Sequence, residues 1–106
     1  MLVVTRFRVP LVEGDVFRDD LERARAALAE RPGHLEGVVG RNVDDPTLWV
    51  LTTRWEHVGA YRRALSSYDV KLHAVPVLGR ALDEPSAYEV VEPGTVLNTG
   101  SARSLG

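Results

Sequence analysis

The sequence predicts a small α+β domain in which a four-stranded antiparallel sheet carries its helices on one face. Three observations predict it. Four stretches have strand chemistry, at residues 2–9, 35–43, 47–55 and 87–91. Between the first two, Phe17, Leu21, Ala24 and Leu28 recur at helical spacing. Asp44-Asp45-Pro46 leaves only a short turn between the second and third strands, which permits antiparallel pairing alone.

Taken in order, residues 2–9 are β-branched or aromatic with Arg6 and Arg8 interleaved, and Pro10 ends the ladder by removing an N–H. Asp15 is placed to cap a helix that begins at Val16 and closes at Arg31-Pro32-Gly33, where Gly33 can take the left-handed conformation. Its buried stripe is Phe17, Leu21, Ala24 and Leu28. The second strand alternates, with Leu35, Gly37, Val39, Arg41 and Val43 on one face and Glu36, Val38, Gly40 and Asn42 on the other. The third strand is apolar on both sides, since Trp49, Leu51 and Trp55 alternate with Leu48 and Val50. A broken second helix follows over residues 56–67, with Val58, Tyr61 and Leu65 on one face, and continues through Val70, Leu72 and His73 to Pro76. Residues 87–91 form the last strand. The domain spans residues 1–92, and residues 93–106 read as a polar C-terminal tail.

The order strand, helix, strand, strand, helix, strand is the βαββαβ pattern of ferredoxin-like domains. Both helices of such a domain cover one face of the sheet. The second apolar face of the third strand then needs its own cover, and a second copy supplies it with a closed, symmetric interface. A homodimer is therefore expected, its two sheets stacked as a dimeric α/β barrel, with Trp49 at the interface or in the core.

Composition narrows the function classes. The chain has 106 residues, 44% hydrophobic and 26% charged, which fits one globular domain with a modest core. Thirteen basic residues are scattered among fifteen acidic ones, giving a net charge of −2, so no nucleic-acid partner is expected. No apolar run is long enough for a membrane helix, and a cytoplasmic protein with no membrane partner is the expectation. With no cysteine, thiol nucleophiles, thiolate metal sites and iron–sulfur clusters are excluded. The three histidines lack helical metal-ligand spacing and no carboxylate pair accompanies them, so no metal is expected.

Over residues 1–91 the chain resembles the antibiotic biosynthesis monooxygenase family of dimeric α/β barrels. Three fragments carry the resemblance: Arg31-Pro32-Gly33-His34-Leu35-Glu36-Gly37 leading into the second strand, Asp44-Asp45-Pro46-Thr47-Leu48-Trp49-Val50-Leu51 in the hairpin, and Arg54-Trp55-Glu56 followed by Ala60-Tyr61. The resemblance implies a cofactor-independent oxygenase acting on a small aromatic or enolisable substrate, or a non-catalytic protein binding a small ligand such as haem. The haem degraders of the family use an Asn on the first strand with a Trp and a His on the second helix. Here Thr5 and Ala64 stand at the first two positions, and only His73 lies near the third. The quinone-forming oxygenases use Trp and Tyr helped by Asn; Trp55 and Tyr61 match the aromatic pair, while Leu51 and Thr52 stand where the Asn is expected.

The candidate catalytic residues are His73, Tyr61 and Trp55. His73 can exchange protons near neutrality and is the candidate base, whereas His34 and His57 sit at element ends. Trp55 and Tyr61 either hold a phenolic substrate through N–H and O–H or simply pack the helix on the sheet. Tyr68 at the helix break, Arg54 on the third strand and Thr5 on the first are candidate substrate-binding residues. Arg54 and Arg6 are suited to anchor an anion or to pair with a neighbouring acid.

Overall fold

A computed structural model describes residues 1–97, 99 and 100. Four strands, β1 (Leu2–Arg8), β2 (His34–Arg41), β3 (Leu48–Trp55) and β4 (Ala87–Tyr88), form one antiparallel sheet in the order β2-β3-β1-β4. Helix α1 (Gly14–Ala29) packs on one face beside α2 (Val58–Ser66), α3 (Tyr68–His73) and α4 (Val75–Leu78). The expected α+β ferredoxin-like architecture is the observed one.

The period-2 pattern places Val3 and Phe7 of β1 and Trp49, Leu51, Thr53 and Trp55 of β3 under the helices, all of them buried. Phe17, Leu21, Ala24 and Leu28 close the core from α1 as their spacing predicts. Trp49 belongs to this core: its ring meets Phe17 edge-on at 5.4 Å, and the Arg41 guanidinium lies 5.5 Å from its centroid. Leu48, Val50 and Thr52 point to the open face, where they remain half-buried and, among the described residues, no helix or strand layer covers them.

Several boundaries differ from expectation for local reasons. Asp15 lies inside α1, because a 3₁₀ turn at Leu11–Glu13 starts the helix earlier and leaves Glu13 at the cap without a side-chain bond. A register shift between His34 and Glu36 makes Leu35 the extra residue opposite β3, so Leu35 leaves the predicted face and is exposed. Val43 lies in the hairpin loop, not on β2. That loop is held by the Asn42 side chain, which accepts from the N–H groups of Asp44 and Asp45, and by Asp45, which accepts from Thr47 N–H and hydroxyl. The Thr47 and Arg8 bonds hold the Asp45 carboxyl down to about 2. Helix α2 begins at Val58, not Glu56, with the His57 Nδ1 accepting from Ala60 N–H at 3.2 Å. Pro76 lies within α4, at a first-turn position where its missing N–H costs nothing. β4 stops at Tyr88 because its partner residue, Leu2, is where β1 begins; Val90 and Val91 are exposed. Of the expected tail, the described residues carry no helix or strand, and residues 98 and 101–106 lie outside the description.

Candidate functional site

Helix α2 is set against the sheet by close packing at its N-terminus. Gly33 adopts φ +86°, and a Cβ on it would lie 2.5 Å from the Ala60 Cβ. Its carbonyl accepts from Glu56 N–H at 2.8 Å, fixing the turn between β3 and α2. This approach brings the Tyr61 ring onto Trp55, centroids 5.5 Å apart, while the His34 ring meets the other side of the cluster edge-on at 5.1 Å from Trp55.

The aromatic pair divides into one structural and one accessible member. Trp55 is 1% exposed, and its indole N–H already donates to the Thr53 hydroxyl at 2.8 Å. No hydrogen bond is left for a ligand. Tyr61 is only partly covered, and among the described residues its hydroxyl has no hydrogen-bond partner. Burial pushes the Tyr61 phenol above its usual value.

Tyr61 borders a cavity of about 130 Å³ between β1, α2 and the segment that leads from α4 to β4. Val4, Thr5 and Arg6 form the β1 wall, and Leu78, Ala81, Leu82, Glu84 and Ser86 form the opposite one. That segment runs alongside β1 but touches its ladder only at two points, Leu82 N–H to the Arg6 carbonyl and Val4 N–H to the Ser86 carbonyl. Between them Pro85 has no N–H to offer, and residues 83–85 arch away from the strand. Arg6 and Glu84 pair in a two-pronged contact, Nε to Oε1 at 2.6 Å and Nη2 to Oε2 at 2.8 Å. The guanidinium holds the Glu84 carboxyl below the usual carboxylate range.

Of the six residues singled out from the sequence, Tyr61 and Thr5 share this cavity, with Trp55 packed behind Tyr61. The other three stand apart. His73 is exposed at the end of α3, in an outer cleft of about 240 Å³ beside Asp20, Arg23 and Arg80 on the far side of the helical layer. Helical spacing placed it on the same chain segment as Tyr61, but the break at Ser67 turns α3 so that Val70 and Ala74, not His73, face the core. Tyr68 is 77% exposed. Arg54 projects on the open face of the sheet, 3.8 Å from Glu36. Glu84 and the wall from Leu78 to Ser86 were missed, because residues 79–86 have neither helical nor strand period; the only sequence signal is the acid two residues before Ser86, next to a proline. Among the described residues no group of three or more His, Asp or Glu could hold a metal, and no helix is long and apolar enough to cross a membrane.

The family model for antibiotic biosynthesis monooxygenases matches residues 1–74, all of the chain up to the end of α3 and its cap. The chain belongs to the antibiotic biosynthesis monooxygenase family. Solved structures agree in fold. SnoaB, a cofactor-independent oxygenase from Streptomyces nogalater, is 23% identical with a TM-score of 0.71, over 89% of this chain and 96% of its own. A point variant of SnoaB aligns at 26% identity and TM-score 0.67, over 76% of this chain and 82% of its own. A candidate antibiotic biosynthesis monooxygenase from Deinococcus radiodurans is 18% identical with a TM-score of 0.70, over 92% of this chain and all of its own. No curated protein matches the chain in sequence. The family match ends before α4, so more than half of the cavity's lining residues, from Leu78 to Ser86, lie beyond it.

Proposed function

We propose that the chain is a monooxygenase-like protein that takes a small aromatic or enolisable molecule into the cavity beside Tyr61. The observation that carries this reading is the Tyr61 hydroxyl, without a hydrogen-bond partner among the described residues, bordering a cavity of about single-ring size with mixed polar and apolar walls. A cavity of about 150 Å³ accommodates one benzene ring, and this one measures about 130 Å³. Family membership and the likeness to a cofactor-independent oxygenase support the chemistry.

In the proposed reaction the substrate supplies its own electrons. Loss of a proton from an activated CH₂ gives an electron-rich enolate, whose oxygen the Tyr61 hydroxyl holds by hydrogen bond. Attack on O₂ and loss of water then convert CH₂ to C=O, so that CH₂ and O₂ yield C=O and H₂O. Thr5 and the apolar residues Leu78 and Leu82 orient the ring. The second reading, a binding protein without turnover, is favoured by one specific feature: the cavity's sole carboxylate, Glu84, is tied up by Arg6, and no histidine lines it. Haem does not suit this cavity, whose volume falls well short of the roughly 300–1,000 Å³ of sites for drug-sized molecules.

The working unit in this reading is a homodimer, in which a second copy covers the half-buried Val50 and Thr52 of the open face. The test is calorimetric titration with phenol, together with oxygen uptake in the presence of monocyclic phenols and enolisable ketones. Phenol should bind wild type, and Tyr61→Phe should weaken it roughly 3- to 10-fold, the loss expected for one hydrogen bond. Oxygen uptake above the uncatalysed rate selects the enzyme; binding without uptake selects the binding protein. Unchanged affinity in the variant would remove Tyr61 from the site.

A further inference from the structure

The extra residue at Leu35 re-aims His34. Strict alternation would turn His34 to the open face with Glu36 and Val38, but the shifted register sets it opposite Trp55, on the helix face with Gly37 and Val39. There the imidazole enters a fitted slot. Its ring meets Trp55 edge-on at 5.1 Å, and a Cβ on Gly37 would stand 3.2 Å from the His34 Nε2 and 3.1 Å from the Arg25 Cγ. Glycine at position 37 leaves both side chains their room. The Nε2 is buried and has no hydrogen-bond partner among the described residues. An imidazolium carries an N–H on both nitrogens, so the charged ring would bury one N–H without an acceptor. The charged groups around it do not help. From α1 comes Arg25, paired with Glu22 at 2.9 Å, and from the turn after α1 comes Arg31, whose Nε is also buried without a partner. Glu36 of β2 is on the other face, 3.8 Å from Arg54, and Glu56 lies beside Gly33. Tyr61 of α2 stands behind Trp55, and His57 is occupied in capping that helix. Burial and Arg25 hold the His34 imidazole below its usual value.

We propose that neutral His34 is the positioning residue for the Trp55–Tyr61 pair, and that its protonation is an acid switch that withdraws the ring from its slot and frees Tyr61 from its place beside the cavity. Trp55 is the link, with His34 on one side and Tyr61 on the other, centroids 5.1 and 5.5 Å away. The switch needs no ligand. Because burial lowers the folded His34 value, the stability that neutral His34 contributes is complete above the usual histidine value of about 6.5. It is lost as pH falls from there through the folded value.

The experiment follows the aromatic signals of the full chain by NMR from about pH 8 to about pH 5, assigned through single variants. The His34 ring should titrate below the usual histidine value, and the Trp55 indole N–H and Tyr61 ring signals should shift with the same midpoint. The Trp49 indole, packed on Phe17, should not follow it. His34→Gln and His34→Phe do not titrate and should both abolish the acid shift; Gln serves if Phe overfills the slot. His57→Asn, which keeps a capping side chain on α2, should retain it. Gly37→Ala crowds the slot and should show the acid-form Trp55 and Tyr61 signals before any acid is added. Trp55 and Tyr61 signals that stay fixed while His34 titrates, or an acid shift that persists in His34→Gln, overturn the proposal. A Trp49 shift with the same midpoint also overturns it, since that marks global unfolding.

Discussion

Replacing Gly33 with alanine tests how α2, and with it Tyr61, is held on the sheet. Two costs add. The φ of +86° is strained for a residue with a Cβ, at about 1–2 kcal/mol. The new methyl would also stand 2.5 Å from the Ala60 Cβ, well inside ordinary contact, and overpacking of this kind costs about 1–3 kcal/mol. Against these, alanine restricts the unfolded chain and returns about 0.4–1 kcal/mol. The net expectation is a loss of about 1–5 kcal/mol in urea unfolding, with the m-value unchanged. The clash has one identified partner, so Ala60→Gly in the same chain should recover the overpacking part while the φ strain persists. A double-mutant cycle should therefore show coupling of about 1–3 kcal/mol. A Gly33→Ala loss below about 0.5 kcal/mol, or strict additivity with Ala60→Gly, would refute the packing argument.

Absorbance at 295 nm on raising the pH should show a phenol ionising above the usual tyrosine value, and Tyr61→Phe should abolish that phase. Because burial raises the folded Tyr61 value, its contribution to stability is complete below the usual tyrosine value of about 10 and is lost as pH rises from there through the folded value. Val50→Asp should halve the light-scattering mass from twice that of the monomer without lowering the unfolding midpoint of the isolated chain. Trp49→Asp, which buries a charge beneath α1, should instead unfold it; a dimer that survives Val50→Asp would count against the open face as the interface. His73→Ala should leave phenol affinity and any turnover within twofold of wild type, whereas a 10²- to 10⁴-fold loss would restore His73 as a general base.

The sheet and α1 were legible because one face of each is buried, so period 2 and period 3.6 appear directly in residues such as Val3, Phe7, Trp49, Leu51, Leu21 and Leu28. The same periodicity failed where geometry depends on contacts distant in sequence. The extra residue at Leu35 answers to the β3 register, which the alternation of β2 alone does not reveal. His73 lies apart from Tyr61 because a helix break at Ser67 rotates everything after it, and the sequence marks the break without fixing the turn angle. Tyr61 and Trp55 were named together as an aromatic pair, but which of them kept a free hydrogen-bonding group depended on Thr53, two residues away from Trp55 on the same face. The cavity wall from Leu78 to Ser86 carried no period at all; its position follows from two backbone bonds to β1.

The most direct test of the cavity as the ligand site is a crystal of the chain soaked with 4-bromophenol, with the bromine located by anomalous scattering. The account predicts a bromine peak in the cavity between β1, α2 and residues 78–86, with the phenol oxygen within hydrogen-bonding distance of the Tyr61 hydroxyl. A peak confined to the outer cleft at His73, or to the open face of the sheet, with the cavity beside Tyr61 empty, would contradict it.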